Sequence, residues 1–236
     1  MTNTNFQKLS SVSFFCPAYN DEENLPILIP RVSLFLNDIT DTFEIIIVHD
    51  GGSDRTGEVA DELAKKLPHV RVIHHPKNLG YGTTLRDGFF ASKYDYVMYT
   101  DGDNQYDVEE FKPYLHLLED ADAISGYVRQ KAVSSGRKIQ SFCFNTVIKI
   151  LFCVNLKDVN CSMKMYKKKV IDGMEIKSSS AFIDAEMLIR AKRAGFGIKQ
   201  FPVTHFVRTG GVASGSKPSV ILSTVGDMVK FRGNFF

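Results

Sequence analysis

The sequence predicts an α/β fold: a single domain with a mostly parallel central sheet and helices on both faces. Three observations carry this. Short apolar runs alternate with helical patterns from Val12 to Tyr127, the order that βαβ units produce. The 236 residues, 44% of them hydrophobic, suffice for one large core. No linker, internal repeat or low-complexity block divides the chain.

The elements follow in order. Val12-Ser13-Phe14-Phe15-Cys16 reads as a strand that ends at Pro17, and an acidic-started helix runs from about Asp21 to Leu36. Then come strand Glu44 to Val48, helix Thr56 to Leu67, strand Val70 to His74 and helix Thr83 to Ser92. Strand Tyr96 to Thr100, helix Val108 to Glu119 and strand Ala123 to Tyr127 complete the regular part. After Tyr127 the alternation breaks into a basic, Ser-rich stretch, Arg129 to Lys138, and an amphipathic segment, Ile139 to Leu156. A strand-like run, Ser162 to Tyr166, is followed by a helix from about Phe182 to Ala194 and a strand, Ile198 to Pro202. A Gly/Ser-rich loop, Thr209 to Ser216, leads to a last amphipathic helix, Ser219 to Phe231. The simplest organisation is one domain over 1–236, with a first half over about 12–127 and a second over about 128–236 given to a second substrate.

Charge and cysteine content narrow the function classes. A formal net charge of +2, with no run of five basic residues, gives no electrostatic reason to expect a nucleic acid partner. Cys16, Cys143, Cys153 and Cys161 show neither C-x-x-C spacing nor a paired framework, as expected of reduced thiols in a cytoplasmic protein. No apolar stretch approaches the ~20 residues that cross a bilayer, and Met1 to Ser11 lacks the pattern of a signal peptide. A membrane would therefore be met from one side. The two amphipathic segments fit either a headgroup layer or closure of the core.

In open parallel sheets ligands bind beyond the carboxyl ends of the strands. Those ends hold Pro17-Ala18-Tyr19-Asn20-Asp21, His49-Asp50-Gly51-Gly52-Ser53 and Asp101-Gly102-Asp103-Asn104-Gln105. Side chains at i and i+2 of an extended chain point the same way, so Asp101 and Asp103 can converge on one hard cation. Gly102 between them lets another group approach the backbone. The alternative for such a pair is a solvated acidic turn. Ser53 or Asp54 reads as the cap of the helix from Thr56, and Asn78-Leu79-Gly80-Tyr81-Gly82 reads either as a phosphate-facing turn or as a plain strand-to-helix turn.

Taken together, the motifs resemble the inverting GT-A glycosyltransferases of family 2, in the polyprenyl-phosphate branch that includes dolichol-phosphate mannosyltransferase and bacterial relatives. They read PAYNDEENL at Pro17 to Leu25, HDGGSDRT at His49 to Thr56, NLGYG at Asn78 to Gly82 and DGDNQ at Asp101 to Gln105. DVNCSMKMY at Asp158 to Tyr166, FIDAE at Phe182 to Glu186 and PVTHFVRTGG at Pro202 to Gly211 continue the series. Each is weak alone, but the order and spacing together are specific, and the match runs from Val12 to about Ser214.

The resemblance implies a GT-A (Rossmann-like) single domain that moves a sugar from a nucleotide-diphosphate sugar to a dolichyl- or undecaprenyl-type phosphate at a membrane surface. It implies Mg²⁺ or Mn²⁺ on Asp101 and Asp103 with Gln105 nearby. The nucleotide is expected at Pro17, Tyr19, Asp21, Asp50, Gly80, Asp101, Gly102 and Asp103. The acceptor phosphate is expected at Arg129, Arg137, Lys164 and Arg208, whose dispersed charges suit phosphate oxygens. Asp158, Asp184 and Glu186 are the catalytic candidates, with a turn Asp and first-turn helix acids as their ordinary readings.

A phosphate monoester has its second pKa near ~6, so the acceptor oxygen is ionised at neutral pH and these acids need only position or tune it. A glycan or other hydroxyl acceptor is the alternative, and it would require one of them, Asp184 first, to act as base. The chain has His49 where relatives commonly carry Asp, Asp21 where Glu is usual, and Tyr106-Asp107 where His-Pro is frequent. All three lie near the donor, which leaves GDP and UDP sugars both open. With no Trp, the chain lacks the Q-x-x-R-W motif of processive polysaccharide synthases.

Overall fold

Strand β1 (Val12–Ala18) lies inside the sheet, with β2 (Phe43–His49) on one side and β4 (Tyr96–Tyr99) on the other, both parallel to it. These belong to a computed structural model that describes residues 8–131, 135–207 and 218–233. β3 (Val70–His74) pairs parallel with β2, and β5 (Ala123–Lys131) pairs parallel with β7 (Ile198–His205). β6 (Lys164–Lys167) runs antiparallel between β4 and β5, giving the seven-stranded order β3-β2-β1-β4-β6-β5-β7. The expected mostly parallel sheet is present, and β6 joins its two parallel blocks.

Alternation along β1 splits the interior into two layers: Phe14 and Cys16 enter one cluster, Phe15 the other. On the first face lies α1 (Leu25–Ile39), whose Leu25, Leu28, Ile29, Val32, Phe35, Leu36 and Ile39 recur at helical spacing and are all buried. α2 (Thr56–Lys66) adds Ala60 and Leu63, and a helical segment over Val108–Leu118 adds Phe111 and Leu115. The opposite face is covered by α3 (Tyr81–Ala91), α5 (Lys168–Asp172) and α6 (Ile183–Arg193). α4 (Ser135–Phe152) and α7 (Pro218–Gly233) close that side, where Phe152 and Phe231 lie 5.5 Å apart, centroid to centroid.

Three elements depart from expectation. Val108–Leu118 is a 3₁₀ helix, with Pro113 inside it. α1 starts at Leu25, not Asp21: the Asp21 carbonyl accepts from the Asn24 and Leu25 amides in a preceding turn. α5 has no counterpart in the sequence reading, since five residues are too few to show a period.

Candidate functional site

β1, β2 and β4 end side by side, so their following loops share one edge of the sheet. Side-chain bonds tie the first two together. Asn20 Oδ1 accepts from the Ser53 amide at 3.0 Å, Glu22 Oε2 from the Arg55 amide at 2.8 Å, and the Asp21 amide donates to Thr56 Oγ1 at 2.7 Å. Asp54 Oδ1 accepts from the Thr56 amide at 3.0 Å, but the cap of α2 is Arg55, without a side-chain capping bond, and not Ser53 or Asp54 as expected. The buried Asp21 accepts from the Tyr19 amide at 3.0 Å and from Asn24 Nδ2 at 2.9 Å, while the Tyr19 ring is 43% exposed. A Cβ on Gly102 would stand 2.4 Å from the Pro17 carbonyl oxygen, so only glycine lets the β4 loop lie against the β1 end.

The carboxylates after β4 meet others from distant parts of the chain. Asp103 is buried and accepts from the Gln105 amide at 3.2 Å. Gln105 Nε2 donates to the Phe206 carbonyl at 3.0 Å, and the Phe206 amide returns a bond to the Gln105 carbonyl at 2.9 Å, fastening this loop to the end of β7. The Tyr81 hydroxyl, at the start of α3, lies 3.0 Å from Asp101 Oδ1 and 3.2 Å from Asp184 Oδ2. Its single proton faces two acids. Burial, with Asp103 and Asp184 nearby, raises the Asp101 carboxyl from 3.8 to about 7. The site thus concentrates negative charge beyond what its own donors neutralise.

Asp184 is held from behind. Lys164 Nζ donates to Asp184 Oδ1 at 2.5 Å, to the Tyr99 hydroxyl at 2.9 Å and to the Cys161 carbonyl at 2.5 Å; the Tyr99 hydroxyl also bonds Asp184 Oδ1. Lys164 is completely buried, and Asp184 is 3% exposed. This corrects the acceptor-phosphate expectation for Lys164, whose three protons are spent on internal acceptors. β6 explains the placement: Lys164 pairs with Tyr99 across antiparallel strands, deep in the sheet.

Glu186 also differs from its expectation. It is fully buried and accepts from the Lys177 amide (3.1 Å), the Ser178 amide (2.8 Å) and Arg190 Nε (2.7 Å), which makes it an anchor for the loop before α6. Asp50, 3% exposed, accepts from His75 Nδ1 and the Leu79 amide at 2.7 Å and from the Gly80 amide at 2.9 Å. The Leu79 and Gly80 amides therefore point to Asp50 and not to a phosphate, and the φ of +93° at Gly80 turns the chain into α3.

Asp158 is buried in the loop before β6, close enough to raise the Cys161 thiol, which burial and then Asp158 push up to about 12. Arg129 is exposed at a bulge near the end of β5, where the register with β7 shifts between Val128 and Gln130. Arg137 belongs to α4, but its side chain lies outside the described residues, and so does the whole of Arg208. His49, the departure from the relatives' Asp, faces His74 with their Nδ1 atoms 3.0 Å apart. The sequence reading missed the part played by Tyr81, Tyr99 and His75. Tyr81 stands inside the NLGYG motif, but nothing in the sequence said that its hydroxyl reaches α6.

Asp101 and Asp103 offer two hard oxygen donors one residue apart, the chemistry a divalent cation takes, while among the described residues no group of three or more His, Cys, Asp or Glu side chains is gathered as a metal site.

Residues 13–174 match the glycosyl transferase family 2 profile. The glycosyltransferase AglD of Haloferax volcanii is 29% identical over 81% of this chain and 32% of its own length. An undecaprenyl-phosphate 4-deoxy-4-formamido-L-arabinose transferase of Proteus mirabilis is 30% identical over 72% of the chain and 52% of its own. A dolichyl-phosphate beta-glucosyltransferase of Trichomonas vaginalis is 26% identical over 81% of the chain and 64% of its own. The chain thus spans between about a third and two thirds of these relatives.

Among solved structures, glucosyl-3-phosphoglycerate synthase from Mycobacterium tuberculosis with Mn²⁺, UDP and glucosyl-3-phosphoglycerate superposes with a TM-score of 0.70. That match has 19% identity and covers 95% of this chain and 80% of that one. The same synthase with Mg²⁺ and UDP gives 0.69 at 17% identity over 95% and 80%. The architecture is the GT-A fold. With the profile spanning more than half its length, the chain belongs to glycosyl transferase family 2.

Proposed function

We propose that this domain transfers one sugar, with inversion, from a nucleotide-diphosphate sugar to a polyprenyl phosphate. The observation that carries the reading is the meeting of Asp101, which shares its loop with Asp103, and Asp184 through the Tyr81 hydroxyl, at the edge where β1, β2 and β4 end. The relatives named as undecaprenyl- and dolichyl-phosphate sugar transferases support the acceptor class.

The exposed Tyr19 ring offers a stacking face for the base, while Pro17, Asp21 and Gly102 shape the floor beneath it. Asp101 and Asp103, with Gln105 alongside, would hold Mg²⁺ or Mn²⁺, which supplies charge neutralisation for the departing diphosphate. An ionised oxygen of the lipid phosphate attacks the anomeric carbon from the face opposite the diphosphate. The new C–O bond forms as the old one breaks, and the charge departs on the nucleoside diphosphate. No proton has to move, because the nucleophile is already an anion.

Asp184 suits this chemistry better than it suits base catalysis. Lys164, Tyr99 and Tyr81 hold its carboxylate in place, so its role is to orient Tyr81 and, through it, Asp101. Asp158 is assigned to positioning the acceptor, and Arg129 to the acceptor phosphate together with Arg137 and Arg208.

α4 and α7 present the lipid side. Ile139, Phe142 and Ile150 are 64%, 71% and 71% exposed, and Leu222 and Val229 are 73% and 62% exposed, while Ile148, Phe152, Met228 and Phe231 of the same helices are buried. Each helix thus closes the core with one side and leaves an apolar side outward, which fits docking on a membrane surface. Among the described residues no helix is long and apolar enough to cross a membrane.

The test compares a polyprenyl phosphate with the phosphate-free alcohol of the same chain, using UDP- and GDP-sugars with added Mn²⁺. Transfer to the phosphate and not to the alcohol is expected. Comparable glycosylation of the alcohol would move the domain to the hydroxyl-acceptor class.

A further inference from the structure

Behind the donor edge lies a buried histidine that the transfer chemistry does not use. His75 follows β3, its amide bonds the His49 carbonyl at 2.9 Å, and its side chain is 5% exposed. Nδ1 lies 2.7 Å from Asp50 Oδ1, and Nε2 lies 3.1 Å from Asp87 Oδ2 on α3. Each ring nitrogen thus has a carboxylate oxygen within hydrogen-bond distance, one from the β2 end and one from α3. Arg86 Nε lies 3.7 Å from Asp87 Oδ1 on the same helix.

Asp50 in turn gathers the Leu79 and Gly80 amides, and α3 begins at the next residue, Tyr81, whose hydroxyl faces Asp101 and Asp184. A carboxylate without a fixed partner has several rotamers. With His75 on Oδ1, Asp50 is held in the one that closes the turn.

We propose that His75 is a positioning residue for the nucleotide-sugar donor: clamped by Asp87, it fixes Asp50 and so sets the Leu79–Gly80 turn and the start of α3 against the Asp101–Asp103 loop. The inference rests on the donor-site reading above. It explains why a sheet-end histidine is buried between two acids, where either acid alone would leave one ring nitrogen unbonded.

The experiment uses the full chain with His75→Leu, which removes both ring nitrogens, and His75→Gln, which keeps a polar group on this side chain. Donor KM, acceptor KM and kcat are measured, and hydrogen exchange is followed at the Leu79 and Gly80 amides. Loss of a charge-assisted bond behind the turn is expected to raise donor KM by about tenfold or more in His75→Leu. Acceptor KM and kcat should each change by less than about threefold, as an effect confined to donor binding implies. Exchange at the two amides should quicken, and His75→Gln should recover a large part of the loss.

A donor KM unchanged in His75→Leu overturns the proposal even if exchange quickens, because the clamp would then serve the fold alone. Equal rises in donor and acceptor KM overturn it too. Should His75→Leu fail to fold, Asp87→Asn loosens the ring from its far side and must shift donor KM in the same direction, or the proposal falls. A wild-type chain that turns over no nucleotide sugar overturns the transfer reading and the donor role together, whereas an active wild type with an unaffected His75→Leu removes the His75 role alone.

Discussion

Replacing Lys164 by Met tests the charge balance at the centre of the site. Lys164 is completely buried, and its ammonium serves Asp184, Tyr99 and the Cys161 carbonyl at 2.5, 2.9 and 2.5 Å. Met fills similar space without the charge, leaving Asp184 buried beside Asp101 and Asp103. Removing one partner of a buried ion pair costs roughly 3–5 kcal/mol, because the other charge stays uncompensated. Against a total stability of about 5–15 kcal/mol that is a large fraction. At about 2–4 °C per kcal/mol for a chain of this size, the midpoint should fall by roughly 6–20 °C.

Urea unfolding of wild type, Lys164→Met and Lys164→Met/Asp184→Asn gives the numbers. The double variant should recover more than half of the loss, since it removes the orphaned charge. A single variant that loses less than about 1 kcal/mol, or a double variant no better than the single, refutes the reasoning. A stable Lys164→Met whose only defect is a raised acceptor KM would return Lys164 to the acceptor phosphate.

Further outcomes follow from the same geometry. The Asp101 carboxyl, raised to about 7, keeps its proton in the native state to higher pH than in the unfolded chain. The stability of the metal-free protein should therefore fall as pH rises from about 4 to about 7 through this group, with the penalty complete above that window. Thermal unfolding in a chelator across this range, with Asp101→Asn as control, should show the slope in wild type only, and Mn²⁺ should stabilise wild type more at the alkaline end. Asp103→Ala should abolish transfer and remove the metal dependence of nucleotide binding, measured by calorimetry with and without Mn²⁺; full activity would remove it from the cation site. Arg129→Ala should raise acceptor KM by about tenfold while leaving nucleotide affinity nearly unchanged, and equal losses on both would place it at the donor. Leu222→Asp with Val229→Asp should leave the midpoint of unfolding almost unaltered and weaken sedimentation with anionic vesicles; unchanged sedimentation would mean that α7 faces something else.

The sequence by itself determined the sheet-and-helix order, because burial on two faces writes its period directly into the chain. Phe14 and Phe15 enter opposite cores as strand alternation requires, and the α1 apolar positions recur as a helix must. It also determined which loops stand at the strand ends, where such sheets hold ligands, and Asp21, Asp50, Asp101 and Asp103 are all found there. Only the tertiary structure decided what those residues touch. Antiparallel β6, inserted between β4 and β5, buries Lys164 under Asp184 and withdraws it from any acceptor. Glu186, two residues from Asp184 on one short helix, turns into the loop before α6 instead of the site. Asp50 spends its oxygens on His75 and the turn that precedes α3. Each outcome is a contact between residues far apart in the chain, fixed by strand order and helix docking. Local periodicity tells a residue which way to face but not what will be packed against it.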